Sequence, residues 1–265
     1  MTTLQVHLEG IGLWSATLGD FAAFQAQERG ETVSAPPARP PAATLPANER
    51  RRVPESVLLA VEVAGQAVAM SGRAANELLC VFSSAYGDQL ISDYMCATLA
   101  LAPAELSPTR FHNSVHNAPA GYWTMATGCN AASSAISAGH ASFGAGLLEA
   151  ATLCLAEERP VLVVCSDIAG SGPLGEMSGT HAAFGCALVL SPQAEAASLG
   201  RLELTLMPHA DKSLRPAATG DAWYEANPIS ASAWPLMQNL ARGQGKCILA
   251  AAETLALCAV LETPV

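Results

Sequence analysis

The sequence predicts a layered α/β fold in which one sheet is covered by helices on both faces. Two apolar runs, residues 160–166 and 183–191, show no polar alternation, the mark of strands buried on both sides. Strand-length and helix-period segments alternate along the chain, which is the pattern of α/β layers. With 51% hydrophobic and 14% charged residues over 265 positions, the chain can bury a sizeable core, and 1–265 reads as a single domain.

The elements follow in order. Residues 4–14 form a strand leading into a turn, with Gly10 and Gly12 at the strand end. Residues 18–27 form a short amphipathic helix. Five prolines between 35 and 46 force an extended loop over about 35–47. Residues 54–70 form a helix with Val57, Leu58, Val61 and Ala64 on one face and Pro54 in its first turn. A buried strand at 78–84 and a helix at 88–100 come next. Residues 113–127 read as largely helical, interrupted or begun near Pro119. A short strand at 133–138 leads into an Ala- and Gly-rich helix at 141–156, whose small residues permit close packing. After the two apolar strands, 201–206 alternates and reads as an edge strand. Residues 207–228 are polar and irregular. A helix is expected at 230–241, and 248–261 fits a helix, a strand or both in turn. Residues 208–265 form a divergent C-terminal segment.

The net charge of −10 disfavours nucleic acid and anionic membrane surfaces as partners. Arg50, Arg51 and Arg52 form the one basic run. None of the eight cysteines forms a Cys-x-x-Cys pair, and most sit in apolar runs, so they read as reduced thiols of a cytoplasmic protein. There is no signal-peptide pattern and no apolar run long enough to span a membrane. The low charge and the wealth of Ala, Val and Leu point to a stable partner interface.

The most informative stretch is 111–167. A polar segment leads into a short strand, a turn, a small-residue helix and a buried strand. Enzymes present nucleophiles at such strand-to-helix elbows, yet the residue at this elbow is His140. A histidine there can act as a base, but it is a poor substitute for a thiolate that holds an acyl group by thioester exchange. Cys129, in TGCNAA, is the nearby thiol. His112 and His116 have metal-ligand spacing on a helix but no third ligand at suitable spacing, so no metal and no cofactor is assigned. Gly10-x-Gly12 lacks the third glycine of a dinucleotide loop, since position 15 is Ser15.

LEGIGLWSATLGD (8–20), SPTRFHNSVHNAPAG (107–121), TMATG (124–128) and the ungapped run from Asn117 to PVLVVCSD resemble the N-terminal half of a beta-ketoacyl synthase, a thiolase-like fold. The resemblance covers 4–207. In this register the family's active-site cysteine falls on His140, and Ala138 and Gly139 replace the Thr-Ala before it. A rival register matches 126–129 to the family's Thr-Ala-Cys and puts Cys129 at the nucleophile. The synthases carry two further histidines in a second half. Past residue 200 the only histidine here is His209.

Within that family the chain resembles short chain-length-factor subunits associated with aryl polyene pigment pathways. It implies a non-catalytic subunit that forms a heterodimer with a complete beta-ketoacyl-ACP synthase. Such a subunit shapes the acyl tunnel for chains carried on acyl carrier protein, in polyene, polyketide or fatty-acid-type elongation. The resemblance places Phe111, His116, Asn117, Tyr122, Trp123, Thr124 and Met125 at the tunnel or interface, where bulky aromatic and Met side chains are favoured. No catalytic residue is assigned. The alternatives are a minimal ketosynthase or acyltransferase acting through Cys129 or His140, and a stand-alone interaction protein.

Overall fold

The protein is represented by a computed structural model that describes residues 3–208 and 226–263. Most of the irregular segment expected at 207–228, with His209, lies outside the described residues. The helices are α1 (Phe21–Glu28), α2 (Ala47–Arg50), α3 (Glu55–Ser71), α4 (Gln89–Leu101), α5 (Pro108–Asn113), α6 (Ala118–Thr127), α7 (Ser142–Ala156), α8 (Gly172–Ser178) and α9 (Pro228–Arg242). The strands are β1 (Thr3–Ser15), β2 (Leu79–Ser83), β3 (Ser133–Ile136), β4 (Val161–Asp167), β5 (Phe184–Ser191), β6 (Gly200–Pro208), β7 (Gly245–Ala250) and β8 (Leu255–Glu262).

The strands form one mixed sheet in the order β3-β2-β4-β5-β1-β6-β8-β7. β2 pairs in parallel with β3 and β4, joined by helical crossovers as parallel neighbours require. β5 runs antiparallel to both β4 and β1.

The unbroken apolar runs follow from the two cores. Along β4, Val161, Val163 and Cys165 enter one core while Leu162 and Val164 enter the other. The first core packs Phe143 and Leu147 of α7, Trp234 and Met237 of α9, and Phe24 of α1 against the sheet. Phe24 and Trp234 meet edge to face, ring centroids 5.0 Å apart. The second core packs Val57, Val61 and Ala64 of α3 and Trp123 of α6 against the opposite face.

Several expectations need correction. Gly10 and Gly12 lie inside β1, not at a turn after it. They admit α3: a Cβ would come 2.0 Å from the Ala67 carbonyl oxygen at Gly10 and 2.0 Å from that of Val63 at Gly12. β6 is interior, between β1 and β8; its alternation reflects one buried face, carrying Leu202 and Leu204, and not an open edge. The ambiguous stretch at 248–261 belongs to the antiparallel β7–β8 hairpin, whose register pairs Ile248 with Cys258. The helix expected at 113–127, interrupted or begun near Pro119, is as expected α6, which begins at Ala118 with Pro119 in its first turn; α5 ends before it at Asn113. The Pro-rich loop is extended as expected and is tied to α3 by a 2.6 Å bond from the Ala42 N–H to Glu62 Oε2. The edges of the described sheet are β3 and β7.

Candidate functional site

The elbow lies where edge strand β3 gives way to α7. Beyond Ile136, the Ser137 hydroxyl donates to the Ala85 carbonyl at 2.9 Å. A single 3-10 turn, Gly139–Ala141, then leads into α7. Gly139 takes φ +54°, a left-handed conformation that glycine tolerates. Ser142 closes the turn: its hydroxyl accepts from the Ala138 N–H at 2.9 Å and donates to the Gly139 carbonyl at 2.7 Å. Small residues seat the helix. A Cβ on Gly146 would come 3.1 Å from Ser83 Cβ on β2. His140 is exposed on the turn, with the Tyr86 ring edge-on at 6.4 Å.

Behind the elbow, loop 84–87 is held by Asp167, at the end of β4 and 2% exposed. Its carboxylate accepts from the Ser84 hydroxyl at 2.5 Å, the Ala85 N–H at 2.8 Å and the Tyr86 N–H at 3.2 Å. Burial pushes its carboxyl up to about 6, while those three hydrogen bonds pull the other way. Sequence reasoning passed over Asp167 as the tail of an apolar strand. The available signal was the single charge closing the run VLVVCSD.

The loop also faces a cleft of about 420 Å³, its open mouth included, lined by Ser56, Ser84, Asp88, Asn113, Val115 and His116 among others. His116 Nε2 lies 3.3 Å from the Ser84 carbonyl oxygen. Tyr122 donates to Asn113 Oδ1 at 3.1 Å, which ties α6 to the end of α5. Ser56 donates to Asp88 Oδ2 at 2.6 Å, and Asp88 Oδ1 caps α4 by accepting from the Ile91 N–H.

The sequence-derived residues separate into groups. His116 and Asn117 lie on the segment between α5 and α6, and His116 reaches the cleft. Phe111 and Met125 are 58% and 68% exposed. Thr124 is half-buried and turns back on its own helix, donating to the Gly121 carbonyl at 3.0 Å. Trp123, expected at the tunnel or interface, lies inside this chain. It is 1% exposed and packs in the core beneath α6, because α6 turns that face towards the sheet and α3. His112 and His116 do not share a helix, since α5 ends before His116. Among the described residues no three metal-ligating side chains converge.

Cys129 is not at the elbow. It follows the left-handed Gly128 at the C-terminal end of α6 and precedes β3, whereas His140 follows β3. It is 6% exposed and donates to the Leu78 carbonyl at 3.3 Å. A helix C-terminus carries negative potential, the opposite of what stabilises a thiolate. Neighbouring Cys80 is pushed up to about 12 by burial, then by Cys129. The register that puts Cys129 at a strand-to-helix nucleophile therefore does not describe this fold. What the site offers is a hydrogen-bonded elbow, a cleft of mixed polar and apolar lining, and exposed apolar side chains, with no thiol at the turn.

The family model for the N-terminal domain of beta-ketoacyl synthases matches residues 23–253. No curated protein sequence matches the chain. Among solved structures, one match is to the ketosynthase ApeO in complex with its chain length factor ApeC from Xenorhabdus doucetiae. It has 21% identity, covers 97% of this chain and 99% of that chain, and gives a TM-score of 0.71. A type II polyketide synthase complex, AntDE:AntF, with acyl carrier protein and a ketosynthase bound to the hexaketide, matches at 13% identity. It covers 99% of this chain and 100% of that chain, with a TM-score of 0.75. The PfaC ketosynthase–chain length factor matches at 11% identity over 100% of this chain and 43% of that chain, with a TM-score of 0.63. At these identities the likeness is one of fold, the thiolase-like fold of ketosynthases. The family model spans most of the chain and takes in the elbow and the cleft, so the chain belongs to the beta-ketoacyl synthase N-terminal-domain family.

Proposed function

We propose that this chain is a non-catalytic, chain-length-factor-like subunit that pairs with a complete beta-ketoacyl-ACP synthase. The observation that carries the reading is an intact elbow with an exposed imidazole where a thiol would stand. The candidate thiol, Cys129, is buried at the other end of β3. The partner supplies the nucleophile, and this chain supplies a wall of the tunnel for an acyl chain on acyl carrier protein.

The surface supports the pairing. Among the described residues, α4 and α5 contribute no side chain to either core, while Leu99, Leu101, Phe111 and Val115 stand exposed on and beside them. Met125 on α6 is also exposed, and β3 has an unpaired edge. Exposed apolar side chains and an open strand edge are each marks of an interaction site. The cleft at 113–116 is the tunnel wall in this reading, with His116 and Asn113 lining it. Eight free cysteines favour a reducing compartment, the cytoplasm. Among the described residues no helix is long and apolar enough to cross a membrane.

The test is co-purification with a complete ketosynthase followed by an elongation assay. The heterodimer is expected to elongate and this chain alone to be inactive. Condensation of malonyl units by the purified chain alone would overturn the reading, and a covalent acyl adduct mapped to Cys129 or His140 would replace it with a minimal synthase.

A further inference from the structure

We infer that Asp167 is a positioning residue: its ionised carboxylate holds loop 84–87 in the shape the partner meets at the elbow, and protonation releases that loop. The partner's identity rests on the function proposed above. The clamp itself rests on geometry.

Three donors converge on this one side chain: the Ser84 hydroxyl and the Ala85 and Tyr86 N–H groups. An ionised carboxylate suits all three best: an amide nitrogen cannot accept, and an acid oxygen that carries the proton accepts only weakly. The Ser84 hydroxyl also accepts from the Gly87 N–H at 2.8 Å, which ties the carboxylate to the far end of the turn.

The loop so held is a junction. Its Ser84 carbonyl faces His116 at the cleft and Ser142 at the start of α7. Its Ala85 carbonyl accepts from Ser137 before the elbow, and its Tyr86 ring meets His140. Cleft wall, strand end and elbow are thus referred to a single buried charge.

Among the described residues no ion pair reaches that charge. The titratable groups that feel it are the Tyr86 phenol from the loop and the Cys165 thiol from its own strand. Phe184 faces it across β5, and neutral Asn227 donates to its main-chain oxygen at 3.1 Å.

The experiment measures hydrogen exchange at Ala85 and Tyr86 in the isolated chain, and the Kd for the ketosynthase, between pH 5 and 8. If only the ionised form is competent, one pH unit below a midpoint of about 6 leaves roughly a tenth of it, so protection (corrected for intrinsic exchange) and affinity fall about tenfold. Asp167→Asn should remove this component, with partner titrations cancelling in the ratio of wild type to variant. Ser84→Ala should move the midpoint upward, because the lost bond favours the ionised form. Protection at Ala85 and Tyr86 that does not change with pH, or an unaltered pH profile in Asp167→Asn or, should that variant not fold, in Ser84→Ala, overturns the clamp. Loss of protection without any heterodimer at pH 7.5 keeps the clamp and removes the proposed pairing.

Discussion

The elbow and the segment 89–115 are built on opposite terms. At the elbow the polar groups are answered from within the chain: Ser137, Ser142 and Asp167 bond to loop or turn atoms at 2.5–3.4 Å. Across 89–115, the apolar side chains enter neither core: Leu101 is 87% exposed, and α4 packs on α5 and α8 rather than on the sheet. The first region is finished in the single chain and the second is not. That contrast, rather than the missing thiol alone, favours a subunit over a degenerate enzyme, because an idle site needs no unpaired apolar rim.

The largest expected effect tests the rim. Phe111→Glu with Met125→Glu should weaken ketosynthase binding by about 10³-fold, the loss of two anchors of about 2 kcal/mol each, while the unfolding midpoint of the free chain stays put. Unchanged affinity would remove the rim from the interface. Trp123→Ala, on the same helix as Met125, should instead lower stability by roughly 3–5 kcal/mol in denaturant titration. Met125→Ala should stay within about 0.5 kcal/mol. Equal effects at 123 and 125 would erase the inside–outside division of α6.

Asp167 sharpens the comparison through pH. Its folded-state pKa, about 6, lies above its ordinary value of 3.8, so between those values the folded chain holds a proton that the unfolded chain gives up. The stability it contributes is present below about pH 4 and is lost as pH rises through about 6. The amount is roughly 3 kcal/mol from the size of the shift. Asp167→Asn should lack this component in chemical denaturation from pH 4 to 7.5. Gly12→Ala should destabilise by about 1–3 kcal/mol, since its Cβ meets the Val63 carbonyl of α3. The smallest effect is expected at the turn itself: His140→Ala should leave condensation by the heterodimer within about twofold. Abolished condensation with the heterodimer intact would make His140 a participant.

Much of the fold was legible. The apolar runs in β4 and β5 announced a sheet buried on both faces, and the small residues of 141–156 announced a helix packed tightly against it. Less legible were pairings that no local pattern encodes. Alternation in β6 looks the same at an edge or in the interior, and residues 248–261 resolve into two strands only because β6 offers β8 a partner. At the site, the position of His140 was readable from its register within the strand–turn–helix run. The role of Asp167 was not, because its three donors lie more than 80 residues earlier in the chain.

By itself, then, the sequence determined the layered α/β class, the elbow and the absence of a thiol at its turn, because each is written in contiguous residues through periodicity and side-chain chemistry. Only the tertiary structure decided that Trp123 is core while Phe111 and Met125 are surface, that Cys129 is buried away from the elbow, and that one carboxylate holds the loop behind it. Burial and hydrogen-bond partnership arise between segments distant in the chain, and local pattern carries no record of which distant donor a side chain will meet.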